Sequence, residues 1–227
     1  MKSIRTLCQP NDRLGCSACC GLFNLSDISR ISLYGYLSSG IERIGVLDQP
    51  VGDNRHLGGM RLRDETTHVC PFQGLIGGME KPGCLAHPDV QTCKLRDRSL
   101  FQSKICDEFL CPAHELLDDF YRTILIESVD DWYAYSIAII DPDSFKWIVD
   151  AIGTRDSSLL AGGVQVAAKS VITRALLLHA DSLNRLEAPL FHYSVSEYRL
   201  QGRFFSLSEG DADEDGRREI LLEIEGL

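Results

Sequence analysis

The placement of cysteine constrains this chain more than any other feature of its sequence. All nine cysteines lie within the first 111 residues, and residues 112–227 contain none. The charge divides at the same place: residues 1–111 carry 13 Lys and Arg against 12 Asp and Glu, whereas residues 112–227 carry 10 against 21. We therefore predict a cysteine-cluster domain over residues 1–115 and an acidic, cysteine-free helical and hairpin region over residues 116–227.

The overall composition excludes several classes of protein. With 44% hydrophobic and 25% charged residues, the chain has the composition of a globular protein. No run approaches eighteen apolar residues and no secretory signal is evident, so we predict a cytoplasmic location. A net charge of −10 argues against nucleic acid or a membrane surface as partner, and it leaves a protein partner open.

Three interpretations compete for the cysteines: disulfides, buried free thiols and metal ligands. In a reducing compartment a disulfide framework is disfavoured, and an odd count leaves one thiol over. Lone cysteines are often small buried hydrophobes, but nine in 111 residues are not lone. The run Cys16-Ser-Ala-Cys19-Cys20 places two sulfurs three residues apart, a spacing that lets both reach one ion from a tight turn. Metal binding is the favoured interpretation, which makes residues 1–115 a metal-binding domain.

The later cysteines stand in similar settings. Cys70 opens the step Cys70-Pro71-Phe72, and the glycine-rich residues 74–83 lead to Cys84. This density of turn residues predicts a hairpin or knuckle that brings Cys70 and Cys84 together. Cys106 and Cys111 are five residues apart, close to a helical spacing that places both sulfurs on one side.

Taken together, these motifs resemble the zinc- or iron-chelating domain family, the YkgJ-like cysteine-cluster proteins. That family's signature is a CxxCxxCC run, a helix, a Cys-Pro-[Phe/Tyr] step, a glycine-rich turn into another Cys, and a closing pair of cysteines. The match covers about residues 13–115, and the resemblance implies a metal-binding module without a defined activity.

The chain departs from the family signature at one position. Arg13 stands where the CxxCxxCC run would begin, and the stretch between Cys84 and Cys106 carries an extra thiol, Cys93, which is a candidate to replace the missing ligand. Cys8 is interpreted as incidental. The predicted metal ligands are Cys16, Cys19, Cys20, Cys70, Cys84, Cys106 and Cys111, with Cys93 as the eighth.

Sulfur-rich ligation selects zinc or an iron-sulfur cluster over calcium, magnesium or manganese. Four thiolates satisfy either one, and the adjacent pair Cys19-Cys20 slightly favours an iron-sulfur cluster. His68, His87 and His114 lie close to cysteines in the sequence, but we expect them to be surface or supporting residues more often than ligands.

The predicted fold class is α+β: a metal-stapled, loop-rich cysteine-cluster module with packed helices and a C-terminal β-hairpin. Helical patterns are expected over residues 28–37, 112–121, 145–152 and 160–186. Short alternating segments predict strands over residues 60–63, and over 198–206 and 218–224 as the terminal hairpin.

The functional prediction is a cytoplasmic metal-binding protein that acts as a structural-metal, metal-handling or redox accessory module. The alternative is a metal-dependent enzyme acting on protein substrates, because some relatives of the resembled group are flagellin lysine N-methylases. The sequence contains no glycine-rich nucleotide fingerprint for a methyl donor, so the non-enzymatic interpretation is preferred.

Overall fold

The computed structural model describes residues 7–45, 57–78, 81–87, 95–99, 101–208 and 214–227. Within these ranges the protein is mostly helical, with one small antiparallel sheet. In chain order the helices and strands are α1 (Arg30–Ser38), α2 (Gly40–Gly45), β1 (Gln73–Ile76), β2 (Lys81–Cys84), α3 (Gln102–Glu108), α4 (Ala113–Leu116), α5 (Asp119–Ser128), α6 (Trp132–Ile140), α7 (Pro142–Arg155), α8 (Val166–Asn184), α9 (Val195–Gln201) and α10 (Glu214–Glu225). Short 3₁₀ turns occupy Leu22–Asn24, Leu95–Arg98, Ser157–Leu159 and Gly202–Phe204.

The two strands form the hairpin that the glycine-rich residues 74–83 predict. Gln73 of β1 lies opposite Cys84 of β2, and Ile76 lies opposite Lys81. Gly77 and Gly78 follow β1 with φ values of 63° and 83°, which only glycine adopts readily. The hairpin therefore returns the chain from the segment after Cys70 to Cys84.

Helix α6 is the centre of the C-terminal region. All nine of its residues are buried, as expected for a helix that is apolar around its whole circumference. Helices α7 and α8 pack against it. The side chain of Asp131 begins α6 by accepting a hydrogen bond from the backbone N–H of Ala134 at 2.8 Å.

A buried carboxylate joins four helices where α6 ends. Asp141 is fully buried and caps α7 by accepting from the backbone N–H of Ser144 at 3.1 Å. Its Oδ2 lies 2.8 Å from Nε2 of His179 on α8, and its Oδ1 accepts from the hydroxyl of Tyr198 on α9 at 2.7 Å. Burial alone would raise the pKa of Asp141, but the hydrogen bonds from His179, Ser144 and Tyr198 hold it below its usual value.

The predicted C-terminal β-hairpin is wrong. Residues 198–201 belong to α9, and residues 218–224 belong to α10. Ser194 caps α9 by accepting from the backbone N–H of Glu197 at 3.2 Å. In α10 the buried residues Gly216, Ile220 and Ile224 recur every four positions, which is a helical stripe that the apparent alternation concealed.

Other sequence expectations hold in part. The predicted helices over 28–37 and 160–186 are present but shorter, beginning at Arg30 and Val166. Residues 60–63 form no strand, and only an isolated bridge joins Leu62 to Leu25.

One buried hydrophobic cluster runs through both predicted regions. It includes Leu14, Leu22 and Phe23 from the cysteine-bearing part together with Ile172 and Ile220 from the cysteine-free part. The boundary near residue 115 stays a prediction. None of the helices in the described ranges is long and apolar enough to cross a lipid bilayer.

Candidate metal centre

Four cysteines from three segments of the chain surround one small depression. We call them the first thiol group: Cys8, Cys16, Cys19 and Cys111. Ala18, Phe109 and Ile139 also line the depression, so its wall is mainly apolar apart from the sulfurs and His114. The burial and mutual proximity of these thiols suit ligands to a soft metal ion.

The N-terminal segment brings Cys8 into this group. The backbone N–H of Cys16 donates to the carbonyl of Cys8 at 3.0 Å. The hydroxyl of Tyr135 on α6 donates to the carbonyl of Leu7 at 2.7 Å, and Nε2 of Gln9 donates to the carbonyl of Pro82 on β2 at 3.0 Å. Contacts to a helix and to the hairpin therefore hold the loop on both sides of Cys8.

Sequence reasoning missed Cys8, because no short spacing links it to another cysteine. The position of the cysteine absent from the family signature, Arg13, lies on the surface: its side chain is 71% exposed and pairs with Asp130 at 3.6 Å. Cys93, the proposed replacement, lies outside the described residues. Cys8 is the fourth thiol that lines the depression of the first group, and Cys93 as a ligand stays a prediction.

The other four described cysteines form a second thiol group: Cys20, Cys70, Cys84 and Cys106. The backbone N–H of Cys70 donates to the carbonyl of Cys20 at 2.7 Å, and the two side chains hydrogen-bond with each other. Cys84 and Cys106 both lie within electrostatic range of Cys70. The hairpin delivers Cys84, and α3 delivers Cys106, whose Sγ lies 3.9 Å from Oγ of Ser99.

The adjacent residues Cys19 and Cys20 belong to different groups. Cys19 faces the depression of the first group, whereas Cys20 bonds to Cys70 of the second. Their thiols also hydrogen-bond with each other, so the two groups meet at this dipeptide.

Burial dominates the electrostatics of most of these thiols. It raises the pKa of Cys8 to about 11 and that of Cys111 to about 12, and it also raises the pKa of Cys16. The pKa values of Cys19 and Cys70 are lowered instead, because hydrogen bonding with the side chain of Cys20 favours the thiolate form of each. Most of the thiols are therefore protonated at neutral pH, and metal binding would release protons.

His114 supports the first group through a defined ring orientation. The backbone N–H of Leu7 donates to its Nε2 at 3.2 Å, so Nε2 is an acceptor. The ring proton then lies on Nδ1, which is 3.3 Å from Sγ of Cys111. His114 thus donates to a candidate ligand and fixes its orientation, as supporting residues do around metal sites.

The other two candidate histidines occupy different settings. His68 hydrogen-bonds with the side chain of Cys70, and its ring stands edge-on to Phe101 at 5.4 Å. The backbone N–H of His87 donates to the carbonyl of Cys84 at 3.1 Å, which closes the turn after β2.

The cysteine-free region also reaches the thiols, through an aromatic side chain that the sequence analysis did not single out. The hydroxyl of Tyr193 donates to the carbonyl of Cys19 at 3.4 Å. Its ring packs at 5.0 to 5.8 Å, between centroids, against Phe101, Phe109 and Phe191. No sequence motif marks Tyr193, because its role arises only from the fold.

The side chains are near one another but not at ligand distance. In the part of the chain that the structure describes, no three His, Cys, Asp or Glu side chains are arranged to hold a metal ion. Each thiol group would have to contract around an ion by rotation of its cysteine side chains. The donor set itself fits, because four thiolates satisfy zinc or an iron-sulfur cluster.

Compared with known proteins, the chain matches no protein-family model, no curated protein and no solved structure. The resemblance to the zinc- or iron-chelating domain family therefore rests on the cysteine motifs.

Proposed function

We propose that this chain is a cytoplasmic metal-binding cysteine-cluster protein with two four-thiol sites. The observation that carries the proposal is the convergence of eight cysteines, spread over residues 8–111, into two groups of four. All eight are free thiols, which a reducing compartment keeps available for metal. The role that fits is a structural-metal, metal-handling or redox accessory module, with a protein as the expected partner and neither nucleic acid nor membrane.

Zinc and an iron-sulfur cluster are the two candidate metals. Each thiol group has the four sulfurs that a closed zinc site needs, and the same number holds a [4Fe-4S] cluster. The adjacent pair Cys19-Cys20, which serves both groups, keeps the iron-sulfur cluster slightly favoured. No position in either group is left for a substrate when all four thiols bind, which agrees with a non-enzymatic role.

The alternative, a metal-dependent enzyme acting on protein substrates, needs polar groups beside the metal. The depression at the first thiol group is lined by thiols, apolar side chains and His114. No observation among the described residues favours this alternative.

Purification without oxygen, followed by elemental analysis and a visible spectrum, tests the proposal. We expect either zinc without colour or iron and sulfide with a broad brown absorption, in amounts that fill both groups. Protein that contains neither metal, and binds neither after reconstitution under reducing conditions, would show the proposal to be wrong.

Two single substitutions test the assignment of the eighth ligand. Cys8→Ser is expected to remove the metal of the first group, because it leaves three thiols there. Cys93→Ser is the matched control and is expected to retain the full metal content. Metal analysis of both variants decides between the two cysteines, and the reverse result would restore Cys93 as the ligand and exclude Cys8.

A further inference from the structure

Two buried arginines flank the second thiol group. The exposed fraction is 9% for Arg43 and 8% for Arg96. Buried guanidinium groups remain charged and require compensation from nearby oxygens or anions. The inference drawn from them rests on the proposed function, because it concerns the metal affinity of the second group.

Arg43 is hydrogen-bonded to the backbone that follows Cys70. Its Nε donates to the carbonyl of Pro71 at 3.0 Å, and its Nη2 donates to the carbonyl of Gln73 at 2.6 Å. Its guanidinium also stacks 3.8 Å above the ring of Tyr36. Among the described residues no carboxylate pairs with Arg43, and Cys70 is one of the two ionisable side chains that act on it.

Arg96 stands on the other side of the same group. It pairs with Asp107, the residue after Cys106, and it acts electrostatically on the thiols of Cys84 and Cys106. The side chain of Asp107 is 56% exposed, so water screens the carboxylate more than it screens the buried guanidinium. Arg96 therefore places a buried cation beside two candidate ligands, Cys84 and Cys106.

At the first thiol group the neighbouring arginine is Arg122, whose guanidinium donates to the carbonyl of His114 and acts on the ring of that residue. The strongest electrostatic influences on Cys8, Cys16 and Cys111 come from other cysteines of the same group. The supporting side chain there is His114, which donates a hydrogen bond as a neutral ring. The two groups thus have the same ligands in different electrostatic surroundings.

Metal binding makes either group more negative. A divalent ion bound by four thiolates gives a site with a charge of −2, and the thiols that were protonated beforehand release their protons. A fixed positive charge nearby stabilises that product relative to the metal-free group. At the first group the neighbouring cation, Arg122, contacts the backbone of His114.

We propose that Arg43 and Arg96 compensate the charge of a metal bound at the second thiol group and so make this group the tighter site, which fills first. Arg43 contacts the backbone beside a ligand, Arg96 hydrogen-bonds with the side chain of Cys84, and both leave the metal to the four sulfurs. They are positioning and charge-compensating residues.

Titration of the metal-free, reduced protein with Co²⁺ tests this proposal. Two double variants isolate the thiol groups. The variant with Cys8→Ser and Cys111→Ser retains the second thiol group, and the variant with Cys84→Ser and Cys106→Ser retains the first. The thiolate absorption of bound Co²⁺, in competition with a chelator, gives one affinity for each chain. We expect the second group to bind at least about 10-fold tighter.

Arg96→Gln is the decisive substitution. It is expected to weaken Co²⁺ binding about 10-fold in the chain that retains the second group, and to leave binding unchanged in the chain that retains the first. Arg96→Lys keeps the charge and is expected to preserve most of the affinity. The matched control is Arg63→Gln, because Arg63 is a partly buried arginine that bonds to the carbonyls of Leu25 and Leu186 and does not contact the thiols.

The failures of the two proposals are distinguishable. If the unsubstituted protein takes up no Co²⁺, the proposed function is wrong. If both groups bind Co²⁺ with equal affinity, or if Arg96→Gln and Arg96→Lys weaken binding equally, the protein binds metal but charge compensation by Arg96 is overturned.

Discussion

At the scale of single residues, His114 links the start of the chain to a candidate metal ligand. Only the neutral ring, with its proton on Nδ1, can accept from Leu7 and donate to Cys111 at once. Burial lowers the pKa of His114 from its usual 6.5, so the ring stays neutral in the folded protein at neutral pH. Protonation of Nε2 would break the bond to Leu7, beside Cys8.

This histidine predicts a pH dependence of stability. The unfolded chain takes up a proton on His114 as the pH falls through about 6.5, whereas the folded chain resists protonation to a lower pH. The stabilisation is complete above that value and is lost below it. We expect the urea midpoint of the reduced, metal-free protein to fall between about pH 7.5 and 5.5, and His114→Asn to reduce this fall. Equal falls in both chains would contradict the prediction.

At the scale of secondary-structure elements, the arrangement around Asp141 determines how the C-terminal helices meet. One buried carboxylate caps α7 and bonds to side chains of α8 and α9. Because the Asp141 carboxylate lies where α6 ends, this single anion fixes the positions of four helices relative to one another. The charge is stabilised by hydrogen bonds that leave no carboxylate oxygen without a partner.

Removal of one hydroxyl tests this arrangement. Tyr198→Phe deletes the donor to Asp141 and also the acceptor of the backbone N–H of Asp143. We expect the free energy of unfolding to fall by about 1–3 kcal/mol, as measured by urea denaturation. The control is Tyr34→Phe, because Tyr34 is 47% exposed and its loss of a hydroxyl should leave stability unchanged. A similar loss in both variants would mean that the Asp141 bond contributes little.

The elements differ in how far the sequence could predict them. The β1–β2 hairpin could be predicted from its glycines, because the turn needs positive φ values at Gly77 and Gly78, and this need depends only on the local sequence. In α10, Ile220 and Ile224 fit a helical stripe and also fit an alternating pattern, and only packing against α7 and α8 selects the helix. Cys8 could not be assigned at all, because contacts with Tyr135 and Pro82, distant in sequence, place it.

At the scale of the whole molecule, the first thiol group and the acidic helices share one interior, whereas Cys20, Cys70 and Cys84 of the second group belong to a separate small cluster. The shared buried cluster contains Leu14 next to the first group and Ile172 of α8. Tyr193 adds a polar contact between the cysteine-free region and Cys19. Metal binding at the first group is therefore expected to stabilise the chain as a whole, including the region without ligands.

Tryptophan fluorescence can report this coupling, because both tryptophans, Trp132 and Trp147, lie in the cysteine-free region. Removal of metal by a chelator is expected to lower the fluorescence-detected melting temperature by about 10 °C. The same chelator should have a smaller effect on Cys19→Ser, which loses a ligand of the first group. An unchanged melting temperature in the unsubstituted protein would show that the two regions unfold independently and would support the boundary near residue 115.

The dipeptide Cys19-Cys20 sets the distance between the two sites. The Cα atoms of adjacent residues are about 3.8 Å apart, so two bound metal centres would be close neighbours joined by one peptide unit. If both centres were redox-active, an electron could pass between them along a short covalent path within the protein. A charge introduced at one site would also be felt at the other, and their reduction potentials would be coupled.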